Sequence, residues 1–450
     1  MTGLAVDGTG IPYVAGAFYL SVDFAGVPLT SAGGADLVLA KLNPTTGAAT
    51  WAKPFAGTVS VESTGSGDQM PYGLAVSHSG QVGVMGQFSG NIVVNGTTTI
   101  PGGATPIGFV MATDSNGIGL WGKPVNTQTG ALLAIASNPS RDEFAVCGYA
   151  KGAVTDLGLP GTSGGDSQAD IIIAKLNATD GTVIWSRQIG GAGTQFCTAV
   201  ALKADGSVFA SGTYNGTLGL DTGVTDTYDA TVLAIWVAKF ANGDEGTGIT
   251  AGQTLLAKSY GNTDMQAVKF MALDSAGDLA IAGNLQSDVL FRAGTSEIPE
   301  IHLTSAGGLD GFVVKLKGSD LTAIWGRNWG DANNDQEAHS VAFDSYKDVV
   351  VVGYLQGTAP GLSSTTLTSA GGSDAYWAKF DGGDGTSICA ARYGTTGGQV
   401  ADLVAISTAD GTQKDKVNVV GYAKGTFSFG AVTPPFSSNP PNAFMLQLTP

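Results

Sequence analysis

Charge is scarce in this chain, and positive charge is the scarcest. Of 450 residues only 13% are Asp, Glu, Lys or Arg, with 21 basic against 37 acidic side chains and a formal net charge of −16. A surface of that sign repels phosphate backbones, which excludes nucleic acid as a partner. Only three cysteines (Cys147, Cys197, Cys389) and three histidines (His78, His302, His339) are present. With no C-x-x-C spacing there is no thiolate metal cluster, and without a Gly-x-Ser-x-Gly elbow the histidines have no obvious nucleophile. No apolar run approaches the length needed to span a bilayer, and no basic-then-apolar leader opens the chain. Helical periodicity is also missing, since no stretch repeats its apolar residues at helical spacing over three turns.

What the chain does contain is one short pattern written seven times. An apolar stretch centred on Ala5, Ala75, Ala134, Ala201, Ala272, Ala342 or Ala405 leads to a glycine in a second apolar stretch, at Gly16, Gly86, Gly148, Gly212, Gly283, Gly353 or Gly421. Successive glycines lie 62 to 71 residues apart. A period of this length built from β-type segments predicts a toroidal array of repeated units, with one architecture over the whole chain.

The first repeat is the template. Gly3–Asp7 and Tyr13–Phe18 are apolar runs separated by a Gly8-Thr9-Gly10 turn; Leu37–Leu42 and Ala49–Lys53 follow, joined across Asn43–Gly47. Runs of this length bounded by Gly, Asn, Asp and Pro read as four antiparallel strands. The first is expected to be the most buried and the last, which carries Lys or Arg, the most exposed, as in a blade set radially about an axis. Alanine in the first strand fits the crowding of inner strands, and glycine in the second allows close backbone approach. The fold class is therefore all-β, a single seven-bladed β-propeller of four-stranded antiparallel blades over residues 1–450. The blades fall at approximately 1–70, 71–130, 131–195, 196–265, 266–336, 337–399 and 400–450.

Counting strands by type sharpens this. Third strands begin near Asp36, Ile107, Asp170, Ile235, Asp310, Asp374 and Asn442. Fourth strands occur only six times, around Trp51, Trp121, Trp185, Leu256, Trp325 and Cys389. The closing blade is expected to lack its outer strand in this chain: either a native extension that supplies it has been trimmed, or an outside strand can dock on the open edge at Phe444, Met445, Leu446 and Leu448.

Ten of the basic residues share two positions: Lys41, Lys175, Lys239, Lys315 and Lys379 on third strands, and Lys53, Lys123, Arg187, Lys258 and Arg327 on fourth strands. Their expected role is to cover a blade edge with the head in water. The three cysteines sit on three different blades and are expected to be small buried apolar residues rather than a bridge or a reactive thiol.

Laid out in this way, the chain resembles the bacterial seven-bladed β-propeller repeat family (SBBP repeats). The likeness lies in Val/Ala-x-Gly, Leu-Thr-Ser-Ala-Gly-Gly-x-Asp, Ala-Lys-Leu and Trp-x-Lys/Arg. Ser31–Gly34, Ser305–Gly308 and Ser369–Gly372 carry the Ser-Ala-Gly-Gly element, completed by Asp36, Asp310 and Asp374. Blades two, four and seven lack it. The resemblance covers essentially the whole chain and implies an exported or cell-surface protein of unassigned role.

Several constellations were weighed for chemistry. Asp331-Ala-Asn333-Asn-Asp335-Gln-Glu337 places oxygens at alternate positions as calcium loops do, but Gln336 stands where such loops need glycine. A hydrogen-bonded turn is the expected reading, with calcium the weaker one, and no other cofactor is expected. Asp381–Gly385 and Asn242–Glu245 read as hairpin turns. Asp36, Asp170, Asp310 and Asp374 are expected to accept backbone N–H groups in the preceding loop. Asn177–Trp185 looks like the tryptophan-docking element of quinone-cofactor dehydrogenases, without the cofactor-clamping residues or adjacent cysteines of those enzymes.

No residue is assigned a catalytic, cofactor or metal role. The long, variable connections Gly57–Met70, Asp156–Ala169, Asp221–Ala234, Arg292–Leu309 and Gly357–Ser373 emerge on one face of such a ring. This supports an extracellular, non-catalytic scaffold that binds a glycan or a protein there. The alternatives are an enzyme acting on an extracellular polymer through the same face, and a subunit that assembles by strand addition at the open edge.

Overall fold

Seven antiparallel sheets stand around one axis in the computed structural model. The structure describes residues 1–55, 67–126, 130–152, 154–159, 168–221, 233–261, 266–291, 300–424 and 442–449. Blade 1 is built from Gly3–Val6, Pro12–Phe18, Asp36–Leu42 and Ala49–Phe55, and the next five repeat this meander. Among the described residues blade 7 has three strands, Gln399–Ile406, Val417–Ala423 and Asn442–Leu448. Among the described residues there is no α-helix, only a single 3-10 turn at Asp156–Gly158. Each junction between neighbouring blades holds its own apolar cluster. The last closes the ring, packing Leu4, Val14 and Val38 of blade 1 on Leu403, Val420 and Met445 of blade 7.

The burial order differs from the expected gradient. The second and third strands are the most buried, as in Pro12–Phe18 and Asp36–Leu42, where almost every position is covered. The first strand is less completely covered, as in Gly3–Val6, Ala131–Ser137 and Gln399–Ile406, because one of its faces lines the axial channel. An axis leaves free space at its centre, so a sheet is driest in its middle.

The repeated glycine has a specific cause. In blades 2 to 7 the first strand carries a one-residue bulge opposite it, with Gly86, Gly148, Gly212, Gly283, Gly353 and Gly421 paired to the residue before the bulge. A Cβ at any of these six glycines would lie 1.9 to 2.1 Å from a first-strand carbonyl oxygen. In blades 4 and 6 a third-strand side chain uses the same gap to satisfy that carbonyl. Trp236 Nε1 donates to Phe196 O at 2.9 Å, and Tyr376 Oη donates to Glu337 O at 3.0 Å.

Adjacent blades are clasped at their outer strands. Trp51, Trp121, Trp185 and Trp325 each lie on a glycine of the next blade's turn between third and fourth strands: Gly117, Gly181, Gly252 and Gly385. Three of the indole N–H groups reach into these turns, from Trp51 to Ser115 O at 3.3 Å, Trp121 to Ala178 O at 2.9 Å and Trp325 to Gly382 O at 3.2 Å. Blade 4 carries Leu256 in place of tryptophan, and the facing turn of blade 5 carries Leu321, buried at φ 60°. A smaller knob is matched by a larger socket, which conserves volume.

Several of the shared basic residues do not end in water as expected. Lys175 is fully buried, with Nζ 2.8 Å from Glu143 and bonded to Gly206 O and Asn242 Oδ1. Lys315 reaches Asp274 at 3.2 Å and Gly382 O at 2.9 Å, and Lys379 pairs with Asp344 and Asp348. On the fourth strands Lys53 donates to Asn116 O at 2.7 Å and Arg327 to Gly385 O at 2.8 Å. Buried ammonium groups persist only where they are paired in this way.

The cysteines also depart from expectation. Cys147 of blade 3 and Cys197 of blade 4 form a disulfide with Cα atoms 5.7 Å apart, and Cys389 is free. Parallel blades bring the second strand of one beside the first strand of the next, a proximity that sequence spacing does not reveal. The second-to-third-strand connections of blades 1, 2, 5 and 6 contain small hairpins, among them Ser21–Phe24 with Val27–Thr30 and Val289–Phe291 with Ile301–Leu303. Val94 and Ile100 press on Gly119 and Gly122, and Ile301 and Leu303 on Gly326, so these hairpins cover the outer strand of their own blade. Residues 57–66, 160–167, 222–232 and 292–299 of the expected display loops lie outside the described residues.

Two stability measurements test this account. Gly283→Ala should cost about 1–3 kcal/mol in denaturant unfolding, with Gly8→Ala, where a Cβ meets nothing within 4 Å, within about 0.5 kcal/mol of the parent. Replacing both Cys147 and Cys197 by Ala should lower stability by about 2–4 kcal/mol, because the bridge closes a long loop across a blade junction.

Candidate functional site: the axial mouth

The bulges of the first strands do more than crowd the glycines. A bulge re-aims one side chain, and here each bulge residue faces the axis. Tyr72, Leu133, Thr198, Lys269, His339 and Asp402 occupy this place in blades 2 to 7, and Thr2 occupies it in blade 1. All seven line a single axial cavity of about 260 Å3. In the five blades whose first strand begins with glutamine, the position stands three residues beyond that glutamine. The ring therefore lies toward the end of the channel where the blade-to-blade connections emerge.

This end is rigidly held. The first-strand glutamines Gln69, Gln195, Gln266, Gln336 and Gln399 are buried. Their side-chain amides donate within the connections, as from Gln336 to Gln356 O, from Gln399 to Lys424 O at 3.0 Å and from Gln195 to Thr217 O at 3.0 Å. The threonines of the ring tie neighbouring blades, Thr2 donating to Pro71 O at 2.5 Å and Thr198 to Val268 O at 2.6 Å.

Charge is confined to one arc, on blades 5, 6 and 7. Glu337 Oε2 lies 3.3 Å from Lys269 Nζ and 3.5 Å from His339 Nε2, and His339 Nδ1 lies 3.4 Å from Asp402. Tyr354 donates to Glu337 Oε1 at 2.9 Å, and its ring meets the imidazole edge-on at 5.5 Å. The hydrogen bond from His339, with Lys269 and Tyr354 overcoming the opposing effect of burial, brings Glu337 down to about 2. Burial pulls His339 down, but Asp402 and Glu337 outweigh it and its pKa is raised. Burial, with Glu337 alongside, pushes the Tyr354 phenol up. A carboxyl this acidic does not return protons near neutrality. The arc fixes two carboxylates against an ammonium and an imidazole, and it offers hydrogen bonds in set directions. Tyr422, 41% exposed, stands near Asp402 and Glu337, and Tyr72 of blade 2, 36% exposed, lines the same cavity away from the arc.

The residues singled out from sequence fall elsewhere, with one exception. Asp331 accepts from Asn333 N, Asn334 N and Nδ2, and Thr358 N and Oγ1, and these bonds hold its pKa far below the usual carboxylate range despite burial. That is a hydrogen-bonded turn, whose last residue, Glu337, belongs to the mouth. Asp36, Asp310 and Asp374 accept from Ala32 N, Ala306 N and Ala370 N at 2.5 to 2.6 Å, as the loop reading expects. His302 pairs with Asp288 on a hairpin, and His78 bonds Pro139 O in a turn. No cluster of three metal-ligating side chains occurs among the described residues, and no described helix is long and apolar enough to cross a membrane. The ring itself escaped sequence reading. Its signal was a buried glutamine that repeats while the residue three places on changes in every blade.

No family model matches the chain, and no curated protein does. Solved structures with similar folds include U3-55K, at 9% identity and TM-score 0.47, covering 93% of this chain and 87% of that one. BamB from Moraxella catarrhalis, at 14% identity and TM-score 0.34, covers 94% and 82%. The quinohemoprotein alcohol dehydrogenase from Comamonas testosteroni, at 11% identity and TM-score 0.39, covers 92% and 61%.

The arc makes a signed prediction. The raised pKa of His339 contributes stability that is complete below the unfolded value near 6.5 and is lost as pH rises through the folded value. Glu337 contributes above its unfolded value of 4.5 and loses this as pH falls toward 2. Stability should therefore decline from pH 6 to pH 9 in the parent and less in His339→Gln. An NMR titration should place the His339 pKa above 6.5 and show it falling in Asp402→Asn.

Proposed function

We propose that the protein is a non-catalytic binding scaffold whose recognition surface is the axial mouth, and that its ligand is a glycan. The observation that carries this reading is the ring of seven axial residues, six of them on bulges, which spans six residue types on a framework that otherwise repeats. Variation at one position of a rigid ring is how a common scaffold acquires a particular ligand. The charged arc pairs two carboxylates with two nitrogen groups, so it selects no ion. With tyrosine faces beside it, it suits a hydroxyl-rich neutral ligand. The repeat likeness to bacterial seven-bladed propellers supports an exported or cell-surface setting, and the Cys147–Cys197 bridge fits an oxidising one.

A second reading rests on Glu337 and Asp402 sharing one mouth, as an enzyme acting on an extracellular polymer would require. The low pKa of Glu337 favours binding over proton transfer. A glycan array read with the parent and with Tyr72→Ala and Lys269→Met separates these readings. Binding that weakens by about tenfold or more in both variants supports the glycan scaffold. Capture of a protein unaffected by deglycosylation replaces the glycan with a protein ligand, and polymer cleavage lost in Glu337→Gln replaces binding with catalysis.

A further inference from the structure

The axial residues are unevenly distributed around the mouth. Lys269, His339 and Asp402 stand on blades 5, 6 and 7, and Tyr72 and Leu133 on blades 2 and 3. In a ring of seven, the point opposite blade 6 falls between blades 2 and 3. The charged arc therefore faces a phenol ring and a leucine across the axis. Between these poles Thr2 and Thr198 spend their hydroxyls on Pro71 O and Val268 O. The Tyr72 hydroxyl is turned to Gln87 Oε1 at 3.2 Å. Hydrogen-bonding capacity toward the cavity is thus concentrated at the blade 6 pole.

Below the ring the bordering side chains are apolar. Leu4, Leu74, Ile135, Val200 and Met271 stand two residues further along the same strands, and the lining goes no deeper. Two strand residues span about 7 Å. The volume of about 260 Å3 lies under the roughly 300–1,000 Å3 of pockets for drug-sized ligands. One sugar ring suits that depth, and a chain laid along the axis does not. A hexose carries hydroxyls on every edge. Those pushed against Leu74, Leu133 and Ile135 would give up water without a replacement partner. A methyl group on that edge would gain by the same burial.

We propose, on the glycan reading above, that the mouth takes the terminal sugar of a chain and that this sugar carries a methyl group, as 6-deoxy and N-acetyl sugars do. The methyl sits among Leu74, Leu133 and Ile135, and an apolar ring face lies on Tyr72. Hydroxyls of the opposite edge bond Lys269 and Asp402, the most exposed charged side chains of the arc, whereas Glu337 is the least exposed. The rest of the glycan leaves toward the blade-to-blade connections. Leu133 then sets specificity, and Lys269 supplies binding common to all sugars that enter.

The probes are the methyl glycosides of glucose and galactose, each beside its 6-deoxy and N-acetyl counterparts, titrated against the 450-residue protein by isothermal calorimetry. At least one counterpart should bind about tenfold or more tighter than its parent sugar, as a single methylene in an apolar pocket allows. Which counterpart does so tells a 6-deoxy from an N-acetyl ligand. Saturation-transfer NMR on the unmutated protein should place the strongest contact on the distinguishing methyl. Leu133→Thr, threonine being the residue of blades 1 and 4 at this place, should bring the affinity ratio to within about threefold of one. Lys269→Met should weaken both members of the pair and leave their ratio standing. The inference is overturned by equal affinities, by a ratio that survives Leu133→Thr, by saturation strongest on other protons, or by binding confined to glycans without an accessible chain end. Each of these results leaves a glycan scaffold in place, whereas a glycan array with nothing bound ends both readings.

Discussion

Six backbone carbonyls stand where a side chain would otherwise have to be. The bulge in each first strand pushes a peptide oxygen to within about 2 Å of the place a Cβ would take on the facing glycine, and only hydrogen fits there. The bulged strand brings the sheet edge close to the axis and turns one side chain inward. The same constraint therefore sets the inner radius of each blade and creates the ring at the mouth.

The outer rim depends on a different interlock, in which an indole or a leucine is fitted to the turn of the next blade. Trp51 on Gly117 and Leu256 against Leu321 show two solutions of nearly equal volume. Lys175, Lys315 and Lys379 tie their third strands to acidic residues of their own blades, and Lys175 and Lys315 also reach the neighbouring blade. The inner and outer devices act at opposite ends of the sheets. The mouth can therefore vary residue by residue while the junctions stay constant. This separation lets one arc carry Lys269, Glu337, His339 and Asp402 while Leu133 and Thr198 remain uncharged.

Much of this was legible beforehand. The glycine spacing revealed seven units, strand counting showed the closing blade one strand short, and the aspartates before the third strands were read as loop anchors. Three features were read differently. Lys175 and Lys315 are paired and buried because their partners, Glu143 at the start of a second strand and Asp274 in the turn before one, lie many residues away. Cys147 and Cys197 meet because neighbouring blades are parallel plates. The hairpins at Val289–Leu303 and Ser21–Thr30 fold back on their own blades, so the face expected to be crowded with free loops is partly walled.

Sequence alone determined the unit, its number and its strand order, because those rest on local alternation and on a period that needs no third dimension to be seen. The tertiary structure decided which residues converge. Tyr72, His339 and Asp402 are separated by tens to hundreds of residues and become neighbours only when the ring closes on its axis. Their inward direction comes from a bulge whose presence is a matter of strand register. Convergence around an axis depends on how repeats are stacked, and stacking leaves no mark on the spacing within any one of them.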